Sequence, residues 1–202
     1  MPPRSGLDNA GKTTLVKRLL AEDTSQVSPT LGFNIRSIAH KGFTLNVWDI
    51  GGQSSLRPYW RNYFETTDAV VWVVDSSDRE RMGDCRRELE GLLQEERLAG
   101  ASLLVFANKQ DIGGAMTTGE IAEALGLGQM TSHACHILAC SARAESAPPS
   151  GDAAAPAHAG GRGDVRIWEG LDWVIGEVGR RVYYGTGGKA LEAETALRPI
   201  RP

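Results

Sequence analysis

The chain has 202 residues, enough for one α/β domain with a sizeable core and too few for a second full domain. A formal net charge of -3 and a pI near 5.8 give no bulk electrostatic reason to expect nucleic acid or an anionic membrane as a partner. Three cysteines, Cys85, Cys135 and Cys140, form no CxxC pair and leave an odd count, which reads as reduced thiols in a cytoplasmic compartment.

No apolar run approaches the length of a membrane span. Met1-Pro2-Pro3-Arg4-Ser5 is no signal peptide and has no glycine after Met1 for myristoylation, and Arg201-Pro202 is no prenylation box. The expectation is a chain without lipid or stable membrane anchor.

The first element is Gly6-Leu7-Asp8-Asn9-Ala10-Gly11-Lys12-Thr13, which fits G-x-x-x-x-G-K-[ST], the phosphate-binding loop. The glycines let the backbone wrap a phosphate with its amides inward. Lys12 reaches the outer phosphates, the Thr13 hydroxyl coordinates Mg²⁺, and the helix starting here aims its positive end at the same anion. A buried apolar strand normally feeds this loop, yet only five residues precede Gly6, two of them proline and one arginine. The first strand is missing, and the expectation is a start truncated relative to a complete domain.

Residues 13–20 read as a helix burying Leu15, Val16 and Leu19, followed by a polar loop over 21–29. Residues 33–38 and 43–48 alternate apolar and polar around Lys41-Gly42, a hairpin of two antiparallel strands. Residues 69–74 and 102–107 show no alternation and read as strands buried on both faces. Between them 84–97 is helical, with Leu89, Leu92 and Leu93 on one side. Thr117 and Glu120 form a capping box for a helix to about Leu125, and 136–140 is the last strand.

From 143 to 166 the composition turns to alanine, proline, glycine and serine, a disordered low-complexity insertion. Trp168, Leu171, Ile175, Val178 and Val182 then recur at helical spacing, and 185–202 is a flexible polar tail. The organisation is one domain over 1–184, interrupted by the insertion, with a mostly parallel doubly wound sheet and one antiparallel edge strand.

Three clusters follow the phosphate loop in the order that a GTP-binding switch requires. In Trp48-Asp49-Ile50-Gly51-Gly52-Gln53, Asp49 supplies a carboxylate to the Mg²⁺ shell, the Gly52 amide donates to a γ-phosphate, and Gln53 orients the attacking water. In Asn108-Lys109-Gln110-Asp111, Asp111 accepts hydrogen bonds from the guanine N1 and exocyclic amine, Asn108 braces the loop and meets the base edge, and the Lys109 stem covers the ring. Adenine has no amine at that edge, which argues against an ATP-dependent kinase. In Cys140-Ser141-Ala142 the Ala142 amide can meet the guanine oxygen. Thr30, in Ser28-Pro29-Thr30-Leu31-Gly32, is placed to bring its hydroxyl to Mg²⁺ and its amide to the γ-phosphate. His133, Cys135, His136 and Cys140 alternate along a strand and are not read as a zinc site.

Gly-Leu-Asp-Asn-Ala-Gly-Lys-Thr-Thr, Ser-Pro-Thr-Leu-Gly-Phe-Asn, Trp-Asp-Ile-Gly-Gly-Gln and Asn-Lys-Gln-Asp together resemble the Arf family of small GTPases. Arg61-Asn62-Tyr63-Phe64-Glu65 and Glu95-Glu96-Arg97-Leu98-Ala99-Gly100-Ala101 resemble its Arf-like group. The resemblance covers about 6–142 and resumes over the last helix. It implies a P-loop small-GTPase fold and a switch that binds GTP or GDP with Mg²⁺. It also implies slow hydrolysis, effectors recruited in the GTP state, an exchange factor and a GTPase-activating protein. Asp8, Asn9, Ala10, Gly11, Lys12, Thr13, Thr14, Thr30, Gly52, Asn108, Lys109, Asp111, Ser141 and Ala142 become the nucleotide contacts; Thr13, Thr30 and Asp49 the residues around Mg²⁺; and Gln53 the catalytic residue. Phe33, Trp48 and Tyr63 hold the positions of an effector-binding triad, or else are core aromatics. The partners implied are tubulin-folding cofactor D or carriers of lipidated proteins.

The family's first strand lies mid-sheet. Its loss would leave two neighbouring strands with unpaired backbone groups, a cost of several kcal/mol against a whole-domain stability of about 5–15 kcal/mol. The alternative to a truncated start is therefore a nucleotide-impaired chain that acts only as an interaction protein.

Overall fold

The computed structural model describes residues 8–53, 55, 60, 64, 66–143 and 163–184. In chain order these form α1 (Lys12–Leu19), β1 (Phe33–His40), β2 (Phe43–Ile50), β3 (Ala69–Asp75), α2 (Met82–Leu93), β4 (Ser102–Asn108), α3 (Thr118–Leu125), β5 (Cys135–Ala139) and α4 (Val165–Tyr184). The low-complexity stretch 144–162, the tail 185–202 and Tyr63 lie outside the described residues.

β4 is buried along its whole length because helices cover both of its faces. Leu103, Val105 and Ala107 point toward α2 and α3, where they pack with Cys85, Leu89, Ile121 and Leu125. Leu104 and Phe106 point the other way, into a cluster with Leu15 and Leu19 of α1 and Ile167, Leu171, Val174 and Val178 of α4. Burying a side chain such as Leu103 or Phe106 contributes roughly 1.5–3 kcal/mol. This two-sided burial suppresses alternation in the β4 sequence. β4 pairs in parallel with β3 on one side and β5 on the other, so the last residues of β3 and β4, Asp75 and Asn108, stand side by side.

Among the described residues the strands fall into two sheets. Antiparallel β1 and β2 make one sheet and β3, β4 and β5 a second. Among the described residues no strand pairs with β2 on the side away from β1, or with β3 on the side away from β4. The two sheets are nevertheless part of one core, since Ile38, Leu45 and Val47 pack in the cluster that holds Val73, Leu104 and Phe106.

Two helix boundaries also differ from the pattern. α2 starts at Met82 and stops at Leu93, and Glu96–Leu98 is a separate 3-10 turn. That turn sends Leu98 and Ala101 under Phe64 in a small third cluster, which a straight helix to Arg97 would not allow. α4 begins at Val165, within the stretch assigned to the insertion, because Asp164 is already buried and bonded there. α3 forms with its capping box closed by Thr117 and Glu120, and ends on Gly126 with left-handed backbone.

Candidate nucleotide-binding site

α1 has eight residues, too few to persist alone in water. Packing of Leu15, Val16 and Leu19 holds it in place. Its N-terminus has no side-chain cap and no acidic residue in the first turn, so the positive end of its dipole is left to the preceding loop. In that loop Asn9 and Gly11 both take left-handed backbone, φ 62 and 94. Such residues turn successive amides to one side and make an anion nest. Ala10 and Thr14 are buried around it, Asp8 and Lys12 are half-buried, and Gly6 lies outside the described residues.

Behind the loop three oxygen-bearing side chains from distant segments meet. Thr13 Oγ1 lies 2.7 Å from Thr30 Oγ1 and donates to Asp49 Oδ2 at 2.8 Å. Thr30 Oγ1 reaches the same Asp49 oxygen at 3.3 Å. β2 carries Asp49 inward opposite Asn34, and the amide of Gly51 donates to the carbonyl of Gly32 at 2.9 Å, which holds the loop bearing Thr30 against the end of β2. Asp49 Oδ1 is buried with no hydrogen-bond partner. A buried unpartnered carboxylate oxygen is costly. Its presence beside two hydroxyls makes an all-oxygen donor set that fits Mg²⁺. Gly52 and Gln53 follow directly, with Gln53 half-buried at a bend.

The cluster Asn108 to Asp111, expected from the sequence to read a base, stands at the C-terminal end of β4, where open parallel sheets place their ligand sites. Asn108 is buried; its Nδ2 donates to the carbonyl of Ala10 at 2.8 Å. Its Oδ1 accepts the Ala142 amide at 2.9 Å. The sequence reading directs that amide at the guanine oxygen; here it serves Asn108. Ser141 Oγ donates to Asp111 Oδ1, and Asp111 is exposed.

Lys109 has φ 68, and its Nζ pairs with Asp75 Oδ2 at 2.6 Å. Burial pushes the Asp75 carboxyl upward, but the Lys109 hydrogen bond and those from Ser77 outweigh it and hold the group below its ordinary range. Gln110 Nε2 donates to Ser76 Oγ and to the Met116 carbonyl, each at 2.9 Å. The sequence reading missed Asp75, Ser76 and Met116 as supports. The available signal is Asp75 at the end of β3 beside Asn108, with Ser76 and Ser77 directly after it.

The hairpin presents an apolar outer face. Phe33 and Trp48 have ring centroids 5.7 Å apart and are 46% and 40% exposed, so they are outward residues and not core aromatics. Ile35, opposite Trp48 in the register, and Leu31 extend the same apolar exposure. Of the four residues not read as a zinc site, His133 Nε2 lies 3.2 Å from the Leu98 carbonyl, Cys135 Sγ donates to the His133 carbonyl, His136 stacks on Trp173, and Cys140 faces Asn108.

Residues 5–151 match the family model of the ADP-ribosylation factor family. The chain belongs to the Arf family. It is 51% identical over 178 residues to ADP-ribosylation factor-like protein 2 of Dictyostelium discoideum, covering 88% of this chain and 86% of that one. It is 49% identical, with the same coverage, to the Drosophila melanogaster protein of that name. ADP-ribosylation factor-like protein 3 of Chlamydomonas reinhardtii is 54% identical over 138 residues, 68% of this chain and 78% of that one. Among solved structures, the Arl6 BBS3 small GTPase of Trypanosoma brucei with bound nucleotide analogue GppNp superposes with a TM-score of 0.68 at 30% identity, covering 87% of this chain and 95% of that one. Arf-family kinship brings a small-GTPase fold, guanine-nucleotide binding, GTP hydrolysis in general, and control by exchange factors and GTPase-activating proteins. No helix among the described residues is long and apolar enough to cross a membrane.

Proposed function

We propose that this Arf-family chain is a Mg²⁺-dependent GTP switch of the Arf-like type, with slow hydrolysis and effectors taken up in the GTP state. The observation that carries this reading is the meeting of Thr13, Thr30 and Asp49 at a buried unpartnered carboxylate oxygen. A loop residue is thereby tied to the phosphate loop at the point where a γ-phosphate and its cation select one conformation of that loop.

Asp8, Asn9, Ala10, Gly11, Lys12, Thr13 and Thr14 cradle the phosphates, and Asn108, Lys109, Asp111, Ser141 and Ala142 hold the base. Thr13, Thr30 and Asp49 hold Mg²⁺, which when bound neutralises charge on the phosphate oxygens. Gln53 orients a water in line with the γ-phosphorus, and the Gly52 amide and Lys12 hold that group. The water oxygen forms a bond to phosphorus, the bond to the bridging oxygen breaks, and the products are GDP and phosphate.

The outward Phe33 and Trp48, with Tyr63, are the effector surface in this reading. Kinship with Arf-like protein 2 supports tubulin-folding cofactor D or carriers of lipidated proteins as its partners, in the cytoplasm. One observation favours a second reading, an interaction protein that binds nucleotide poorly: β2 and β3 each have one unpaired edge among the described residues.

The test is to purify the full chain, denature it and identify the released ligand by chromatography. Stoichiometric GDP or GTP, with turnover lost in Gln53→Leu and nucleotide affinity kept, establishes the switch. A folded chain that stays empty at millimolar GTP and Mg²⁺ sinks it and leaves the interaction protein.

A further inference from the structure

Ser141 and Ala142 touch the side chains assigned to the base, yet Arg143 is the last described residue before the low-complexity stretch. Their loop is held by side chains that the nucleotide reading does not use. Arg18, in the last turn of α1, lays its guanidinium across two successive carbonyls: Nε donates to Ala142 at 3.0 Å and Nη2 to Arg143 at 3.1 Å. The planar fork of arginine suits such a pair and a lysine does not reproduce it.

The stem of the same side chain carries the returning chain. A Cβ on Gly163 would sit 2.7 Å from Arg18 Cδ and 2.9 Å from Cγ, so only glycine brings this backbone flush against it. The next residue, Asp164, is buried and reaches back to the loop. Its Oδ2 accepts the Ser141 amide at 2.9 Å. Arg166 holds the carboxylate in place, with Nε on Oδ1 at 2.8 Å and Nη2 on Oδ2 at 2.6 Å. Three consecutive residues are thus fixed by their backbone groups, carbonyls by Arg18 and an amide by Asp164.

We infer that Arg18 and Asp164 are positioning residues for guanine recognition. They clamp 141–143 at the mouth of the inserted stretch so that Ser141 orients Asp111 and Ala142 orients Asn108. This rests on the guanine-switch reading above. Neither residue belongs to the motifs assigned to the base; each acts through the loop. Loosening it affects what Asp111 and Asn108 read and leaves the Thr13, Thr30 and Asp49 side of the site as it was.

The experiment measures affinities of the full chain and of Arg18→Ala, Asp164→Asn and Gly163→Ala for GDP and for IDP, which lacks only the 2-amine that Asp111 accepts from. It also measures the fold-acceleration of GDP release when Mg²⁺ is chelated. Arg18→Ala and Asp164→Asn are expected to weaken GDP by about tenfold, the size of a lost charge-assisted hydrogen bond, and to narrow the preference for GDP over IDP by about threefold or more. The response to chelation stays unchanged. Gly163→Ala removes no polar group, displaces the Arg18 stem, and moves the same ratio in the same direction; it decides the matter if the other two do not fold. Equal weakening of GDP and IDP, or an unchanged ratio, overturns the inference while leaving the switch intact. Failure of the unaltered chain to bind either nucleotide removes the switch reading and this inference together.

Discussion

Asn108 Nδ2 donates to the Ala10 carbonyl at 2.8 Å, joining the loop after β4 to the loop before α1 through a buried bond. The contact is so close that a Cβ on the next residue, Gly11, would lie 2.4 Å from the same nitrogen. Gly11→Ala therefore combines left-handed strain of about 1–2 kcal/mol with overpacking of about 1–3 kcal/mol. Gly42→Ala, at φ 81 with nothing within 4 Å, carries the strain alone. Thermal unfolding should show the larger fall for Gly11→Ala, at about 2–4 °C per kcal/mol for a chain of this size. Equal falls would mean that the Asn108 contact yields freely.

Asp49 Oδ1 is buried without a partner. If a cation satisfies it, removing Mg²⁺ from the GDP-bound protein should lower the melting temperature clearly, and Asp49→Asn should make the melt nearly indifferent to chelator, since the amide cannot replace a hard anionic donor. An undiminished chelator response in the variant would place the cation elsewhere.

Glu120 closes the capping box of α3. The Thr117 amide, then the Arg79 side chain and the Thr117 hydroxyl, hold its carboxyl down at about 2 against an ordinary 4.5. A carboxyl lowered on folding stabilises above its unfolded value, and that contribution fades as the pH falls from about 4.5 toward about 2. Glu120→Gln should flatten the slope of stability against pH within that window and leave it unchanged above pH 6. An identical slope in the variant would show that other carboxylates dominate acid unfolding.

Gly170 and Gly176 lie in the same helix with opposite surroundings. A Cβ on Gly170 would meet Phe106 Cζ at 2.6 Å and Leu104 Cδ2 at 3.0 Å, whereas Gly176 has nothing within 4 Å. Helix propensity favours alanine at both by about 1 kcal/mol. Only at Gly170 does overpacking of about 1–3 kcal/mol oppose it. Denaturant melts should show Gly176→Ala stabilised and Gly170→Ala destabilised or at best unchanged. Stabilisation of both would mean that α4 can shift away from β4.

The candidate residues of the proposed site were legible in the sequence because they sit in short contiguous motifs: two glycines with Lys12-Thr13, Asp49 near the end of a strand, and Asn108 to Asp111 after another. The α/β class followed for a similar reason, since burial on both faces removes alternation from 69–74 and 102–107 and local spacing reports it directly. The hairpin, the capping box at Thr117 and the closing helix were likewise local.

What only the tertiary structure decided are the relations between residues far apart in the chain. The stop of α2 at Leu93 depends on where Leu98 can be buried under Phe64. The division of the described strands into two sheets depends on which backbone edges find partners, and periodicity within a strand does not encode its neighbours. The Lys109 pair with Asp75, the Ala142 amide on Asn108, and the hold of Arg18 and Asp164 on one loop all join side chains and backbone groups brought together by packing. Motifs specify which groups do the chemistry; the fold specifies what holds those groups still, because support comes from whichever elements the core sets alongside.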